Sequence, residues 1–517
     1  MKAIRNPAAK NTSSTDTAGF RSRRNHHQQR KRINPAATPP TTIELRGVSI
    51  HFPFQPYDCQ KAYMENVLDA LLRSENALLE SPTGTGKTLC LLCAALAWQR
   101  EQSKSLKLKS DFGASSVPTD ELPYSSARQP RFEQSQQRSR RVPTIIYASR
   151  THSQLSQVVK ELRNTRYRPK HAVLGSKQQF CVNPKVKKQD GTSSASTINH
   201  DCSVLTKDRR CKFKNKVEGF KAPSNESSQG AWFGTQPVMD MEDLVLMGKT
   251  HQVCPFYYTR SLVEDAELIL VPYNYLFDKD TRTSTLADIP WDNSVVIFDE
   301  AHNLESFASD SASFDISSKD IAGCMNEIDK ALNLHESYPD RFENVNVQNL
   351  LRLKAVFLNL EEHILKRLPQ QASSYQGDKI MEIFERGAQI NFDNHHLILR
   401  EIKKIFDMFI EIRGGNSNGA PKLELFAQCI KRVFGEQSEA RCMAKTQSYR
   451  VHLTQLQNPA SGQAKPVPSS SAAGRFKESG RTLSYWCFAP SEAMRELANL
   501  NIRSIIVTSG TLSPLDR

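Results

Sequence analysis

Apolar residues recur at helical spacing over Tyr63–Leu72, where Met64, Val67, Leu68, Leu71 and Leu72 share one face. Ala77–Glu80 is a run of strand length that ends in a glycine-rich stretch, and Leu89–Arg100 continues as a largely apolar helix. Thr144–Ser149 reads as a buried strand and Ser153–Arg163 as a helix; Glu267–Pro272 and Ser294–Phe298 are again apolar runs of strand length. From Phe307 to about Phe434 the period is helical, most clearly over Leu350–Leu368 and His396–Ile412, and strand character returns in Thr482–Phe488 and Arg503–Thr508. Strands alternating with helices at the front and recurring at the end predict an α/β fold with a parallel sheet. Two insertions interrupt it, a cysteine-bearing stretch and a helical domain. No internal repeat is visible.

Polar stretches set the expected boundaries. Residues 1–43 form a basic tail without apolar period, expected to be disordered. Residues 44–173 carry the first part of the sheet domain, with a polar insertion over 102–141. Residues 174–257 are the cysteine module, 258–306 return to the sheet, 307–480 are the helical domain and 481–517 the last part of the sheet.

Charge then changes the picture mainly at one end. The net charge is +14, and residues 1–43 hold nine Lys or Arg against one Asp. The runs Arg21–Arg24 and Arg30–Arg32 read as a nuclear localisation signal, with an organellar transit peptide as the alternative. A polyanionic partner suits such basicity. The longest tempting apolar run, Leu89–Trp98, falls short of the roughly 18 residues a membrane span needs. The N-terminal stretch lacks the apolar core of a secretory signal, so a reducing compartment is expected and clustered cysteines read as metal ligands or core residues.

The segment Ser81-Pro-Thr83-Gly84-Thr85-Gly86-Lys87-Thr88 follows a strand and opens a helix. A glycine-rich turn there gathers backbone N–H groups around phosphate oxygens, and the helix start adds its positive dipole end. Lys87 would reach the terminal phosphates of ATP and the Thr88 hydroxyl would ligate Mg²⁺. The strict pattern has glycine where this chain has Ser81. Far downstream, an apolar strand delivers Asp299-Glu300-Ala-His302. Two adjacent acids at a strand end divide the work: Asp299 manages the metal and Glu300 the attacking water.

Together these blocks resemble the superfamily 2 helicases. Phe52–Gln60 is similar to the family's adenine-recognition segment, which implies a role for Gln60 on the base edge with Tyr57 nearby. Ser149-Arg150-Thr151-His152 is similar to the block that touches the DNA backbone, and Thr508-Ser509-Gly510-Thr511-Leu512 to the block that couples hydrolysis to strand movement. Cys181, Cys202, Cys211 and Cys254 lie between the Arg150 and Asp299 blocks, with 20, 8 and 42 residues between them. From spacing alone, four thiolates could hold zinc or an iron–sulfur cluster. Their position resembles the four-cysteine domain of the xeroderma pigmentosum group D helicase family, which implies a [4Fe–4S] cluster, with zinc as the alternative. Cys254–Tyr258 and Val271–Tyr275 fit that family, and Ile145–Gln154, Glu161–Asn164, Tyr167–Lys170 and Pro184–Gln189 carry likeness to its telomere-elongation branch. The cross-link-repair branch matches nearly as well over Cys254–Leu276. Cys90 and Cys93, on the helix after the glycine loop, read as core thiols.

The resemblance implies a RecA-like parallel-sheet motor domain interrupted by an iron–sulfur module and an α-helical arch. It also implies an ATP-dependent, 5′ to 3′ DNA helicase acting in DNA repair, recombination control and telomere maintenance. Candidate DNA contacts are Arg150, Thr151, Lys185, Lys187 and Lys188, with Tyr257, Tyr258, Tyr273 and Tyr275 as stacking groups. Expected partners are DNA, as single strand and duplex junction, and replication or repair proteins; no membrane is expected. The rival reading is a catalytically inert, metal-stabilised DNA-binding module. A small-molecule phosphotransferase would need an acceptor motif that the sequence does not offer. No second motor domain follows within the sequence, which ends at Arg517, so this chain alone is expected to bind nucleotide and turn it over poorly.

Overall fold

The computed structural model describes residues 40–82, 84–112, 142–187, 195–207, 209–221, 238–369, 371–412, 421–455 and 480–511. Twelve strands are present among them. β1 (Thr41–Leu45) and β2 (Val48–Phe52) form an antiparallel hairpin, so folded chain begins two residues before the expected end of the tail; residues 1–39 lie outside the described residues.

A six-stranded sheet carries the motor. It joins β3 (Ala77–Glu80), β4 (Thr144–Ser149), β5 (His171–Val173), β6 (Leu268–Pro272), β7 (Ser294–Asp299) and β12 (Ser504–Ser509) in the order β3-β12-β7-β4-β6-β5. Every pairing in it is parallel. β4, β6 and β7 are buried at every position because both faces are covered, as a parallel sheet requires. Alternate residues serve two cores. Ile145, Tyr147, Val295 and Ile297 meet helices α1 (Asp58–Arg73), α2 (Lys87–Phe112) and α3 (His152–Asn164). Ile146, Ala148, Val296 and Phe298 meet the segment around Tyr273–Leu304 and Leu497. β12 lies between β3 and β7, so the last described strand separates the glycine-loop strand from the acid strand.

Two expectations need correction. The polar insertion was expected from residue 102, yet α2 runs on to Phe112. Gln102–Phe112 contains neither proline nor glycine before Gly113, and Lys104 pairs with Glu101 one turn earlier, so polarity there marks a continuing helix and not a loop. Residues 113–141 lie outside the described residues. The second concerns the return to the motor sheet at 481. β11 (Arg481–Cys487) pairs instead with β8 (Phe314–Ser317) and β10 (Tyr449–Gln455), and β9 (Ser373–Gln376) completes an antiparallel sheet of order β8-β11-β10-β9. The chain returns to the motor with helix Ser491–Ala498 and β12. The arch is therefore helices upon a small sheet, not helices alone.

That sheet turns Phe314, Ile316, Val451, Leu453, Leu483 and Tyr485 onto the helices Ser318–Ser337, Val347–Glu362 and Pro421–Phe434. Glu327 is buried there and its two carboxylate oxygens accept the N–H groups of Lys422 and Leu423 at 3.1 and 2.9 Å, capping the start of helix Pro421–Phe434. Glu327→Ala removes both acceptors and leaves one buried and one half-buried donor, so it should destabilise the arch by roughly 2 kcal/mol. Thermal or denaturant unfolding checks this; a variant as stable as the parent would show that the cap contributes nothing.

Candidate functional site

The carboxyl ends of β3, β4, β7 and β12 share one edge of the sheet, where open α/β sheets bind ligands. The sequence-predicted nucleotide residues meet there. After β3 the chain turns through Gly84 and Gly86, at φ of 86° and 77°, a region that side chains other than glycine seldom occupy. A Cβ on Gly86 would stand 3.0 Å from Gln60 Nε2. Gln60 fixes the loop: its Nε2 donates to the Thr85 carbonyl at 2.8 Å, and its Oε1 accepts the Tyr57 N–H at 3.0 Å. Tyr57 is 70% exposed on the rim beside it. Ser81, where the strict pattern has glycine, puts its hydroxyl 2.8 Å from that of Thr85, which donates to the Pro82 carbonyl. The departure thus adds a brace to the loop. Thr83 lies outside the described residues. α2 begins at Lys87, so Lys87 and Thr88 occupy its first turn.

Lys87 is buried, and its Nζ lies 3.0 Å from Glu300 Oε1 and 3.8 Å from Asp299 Oδ1. The glycine loop and the acid pair, 213 positions apart, share one site. Asp299 is held from several sides. Its Oδ1 accepts the Glu300 N–H at 2.9 Å, its Oδ2 accepts the Tyr147 hydroxyl at 2.6 Å, and its carbonyl accepts the Tyr273 hydroxyl. Burial pushes its carboxyl above the ordinary carboxylate value, while Tyr147 and the Lys87 charge pull the other way. Glu300 adopts φ 58°, a left-handed conformation that costs a glutamate energy and that clusters at functional sites. Its other oxygen lies 3.3 Å from His302 Nδ1, which is 3.1 Å from Ser509 Oγ. The Ser509 carbonyl accepts the Ser81 N–H at 3.1 Å, and Thr508 Oγ1 pairs with the Tyr63 hydroxyl at 2.7 Å. Contacts therefore run from Lys87 through Glu300 and His302 to Ser509 and back to the loop. Gly510 and Thr511 continue beyond β12 at the same edge, with Thr511 exposed, and Leu512 lies outside the described residues.

The DNA candidates divide. Arg150 is exposed at the end of β4. Thr151 caps α3: its hydroxyl accepts the Gln154 N–H, and Gln154 Oε1 accepts the Thr151 N–H at 3.0 Å. Lys185 is exposed, Lys187 donates to the Gln178 carbonyl at 2.7 Å, and Lys188 lies outside the described residues. The tyrosines do not form an open stacking platform. Tyr273 is fully buried among Phe298 and Phe307, Tyr275 is buried with its hydroxyl 3.3 Å from Arg260, and Tyr258 is buried against Phe220. Aromatic residues following a buried strand pack into the core because their area is worth more there than in water.

The cysteine module shows a pattern that spacing does not reveal. Cys181, Cys202, Cys211 and Cys254 are all free, and the Asn183 side-chain amide donates to the Cys211 sulfur at 3.6 Å. Tyr257, a stacking candidate in the sequence, is half-buried, with Lys214 Nζ 4.9 Å from its ring centre. Burial pushes the thiols of Cys181 and Cys254 up to about 11 and about 12. Cys181 and Cys254 each feel the charge of Cys202, so the four converge on one region. Among the described residues no three His, Cys, Asp or Glu side chains are drawn together tightly enough to hold a metal ion. Cys90 and Cys93 are buried in α2, as expected of core thiols.

The family description DEAD_2 matches residues 147–321, and "RTEL1 helicase, ARCH domain" matches 318–490. Regulator of telomere elongation helicase 1 of Mus musculus is 36% identical over 92% of this chain, and that of Homo sapiens 38% over 92%. The homologue of Oryza sativa subsp. japonica is 39% identical over 91%. The chain belongs to the regulator of telomere elongation helicase family. It spans 40% of the length of the mouse and human relatives and 46% of the rice one. A solved chain called XPD_Helicase aligns with TM-score 0.46 at 16% identity, covering 89% of this chain and 59% of that one. The arch match of this helicase family ends at 490, after β11, in agreement with the sheet pairing. The residues that sequence reasoning missed are Tyr63 and Tyr147. Both sit in apolar runs, where only the side-chain contact separates a site tyrosine from a core one.

Proposed function

We propose that this chain is the nucleotide-binding motor portion of an ATP-dependent DNA helicase. One observation carries the reading: Lys87 stands between Asp299 and Glu300, at 3.8 and 3.0 Å, beside a loop bent through two left-handed glycines. On this reading the loop amides and Lys87 hold the phosphates of ATP, and Thr88 with Asp299 holds Mg²⁺, which supplies charge neutralisation at the phosphates when bound. Glu300 orients the water, and its contacts through His302 to Ser509 transmit the state of the phosphates to the edge near Arg150. Arg150 and Lys187 are the backbone contacts to single-stranded DNA, a role that exposure and charge support for Arg150 in particular.

We read Cys181, Cys202, Cys211 and Cys254 as the ligands of a [4Fe–4S] cluster, a reading supported by four free cysteines in one region with a donor on Cys211. Zinc is the competing occupant. The kinship supports a nuclear role in telomere and genome maintenance, with 5′ to 3′ movement. Direct titration with a fluorescent ADP analogue tests the core of the proposal. Saturable binding that ATP displaces and that weakens when EDTA removes Mg²⁺ is expected; absence of saturable binding at millimolar nucleotide, the upper end of ordinary enzyme affinities, would sink it.

A further inference from the structure

The structure assigns Tyr147 the role of a positioning residue that sets, through its phenol, the carboxylate of Asp299 in the magnesium site. The inference rests on the nucleotide-site reading above and deepens it. Tyr147 lies in β4 with no exposed surface, opposite Ile297 of β7, so its ring runs along β7 toward Asp299 two residues on. Its hydroxyl donates to Asp299 Oδ2 at 2.6 Å.

Asp299 Oδ1 is occupied by the Glu300 N–H and faces Lys87, so the phenol is what fixes the other oxygen and hence the plane of the carboxylate. In the P-loop arrangement the hydroxyl and the acid serve one ion from two separate elements. Here a third element, β4, supplies the part that sets the acid, as groups behind a metal's ligands commonly do.

Tyr147→Phe keeps the ring and removes only the hydroxyl; Tyr147→Leu removes the hydroxyl and also disturbs packing. Fluorescent ADP is titrated into each with Mg²⁺ and, separately, with EDTA, and melting is recorded without nucleotide. Both variants should lose about 10- to 100-fold in affinity with Mg²⁺, the usual cost of removing a group that orients a metal ligand. With EDTA they should match the parent. Equal losses in both media, or a loss that follows the melting temperature from Phe to Leu, would overturn the assignment. If the parent itself binds identically with and without Mg²⁺, the nucleotide-site reading fails first and Tyr147 falls with it. A parent that responds to Mg²⁺ beside an unresponsive Tyr147→Phe condemns the Tyr147 inference alone.

Discussion

Lys87→Ala should lose at least about 100-fold in affinity for Mg·ATP, because each hydrogen bond to a charged group is worth roughly 1.5–3 kcal/mol and the ammonium makes more than one to the phosphates. Its buried position makes the loss specific. No other Lys or Arg is hydrogen-bonded or ion-paired to Asp299 or Glu300 among the described residues. Binding exchanges those carboxylates for phosphate oxygens, so the lysine is neutralised in either state and the exchange costs little. Stability should move too. Removing the cation leaves a buried Asp299 without counter-charge, which in a fully buried pair costs several kcal/mol. Here Tyr147 and the Glu300 N–H still hold the carboxylate, and Glu300 is 30% exposed, so a smaller loss is expected. The sign with pH follows. Asp299 is already raised by burial, and loss of Lys87 raises it further. A carboxyl raised in the folded state contributes stability at low pH that is lost as pH rises through its folded value. The deficit of Lys87→Ala should therefore narrow as pH falls toward the ordinary carboxylate range. Nucleotide titration and melts at acid and neutral pH read both effects; an unchanged affinity for Mg·ATP would end the motor interpretation.

How much of this was legible in the chain depends on whether a signal is local. Gly84, Gly86 and Lys87 announce themselves because the loop's geometry demands those residue types at those positions, and Asp299 because an apolar run of fixed length ends on it. The α/β class follows from the alternation of periods. The arch sheet was not legible: β8 and β9 have four residues each, and strands that short vanish inside a helical period. β11 was visible as a strand, but its partners were not, since pairing between β11 and β8 spans more than 160 positions and leaves no trace in either segment. The tyrosines fail for a related reason. Tyr147, Tyr273 and Tyr275 all sit in or just after buried strands, and composition cannot distinguish one that holds Asp299 from one that packs against Arg260. Tyr257 packs beneath Lys214, 43 positions away, a neighbour its own segment does not reveal.

Protein purified without oxygen should be brown and carry about four iron and four sulfide per chain, and Cys254→Ser should lose most of both. Cys254 is expected to matter most for the fold as well. Its N–H donates to the Phe213 carbonyl at 2.9 Å, and it begins the helix Pro255–Ser261, whose Phe256 and Tyr258 sit in the motor core. The module is thus tied to the motor at this cysteine, whereas Cys202 and Cys211 pack in a small cluster of their own with Val186, Ile198 and Leu205. Cys254→Ser should therefore lower the melting temperature more than Cys202→Ser, although both lose the colour. A gentler change separates the cluster from its surroundings. Asn183→Ala removes the side-chain amide that donates to Cys211, so iron should stay and the reduction potential should fall, since hydrogen bonds to ligand sulfur favour the reduced, more negative state. Burial opposes a bare thiolate at all three cysteines whose values are shifted, so charge there has to be balanced by a cation or by protons. A colourless parent with one zinc per chain would remove iron from the account, while leaving Lys87, Asp299 and Glu300 where they are.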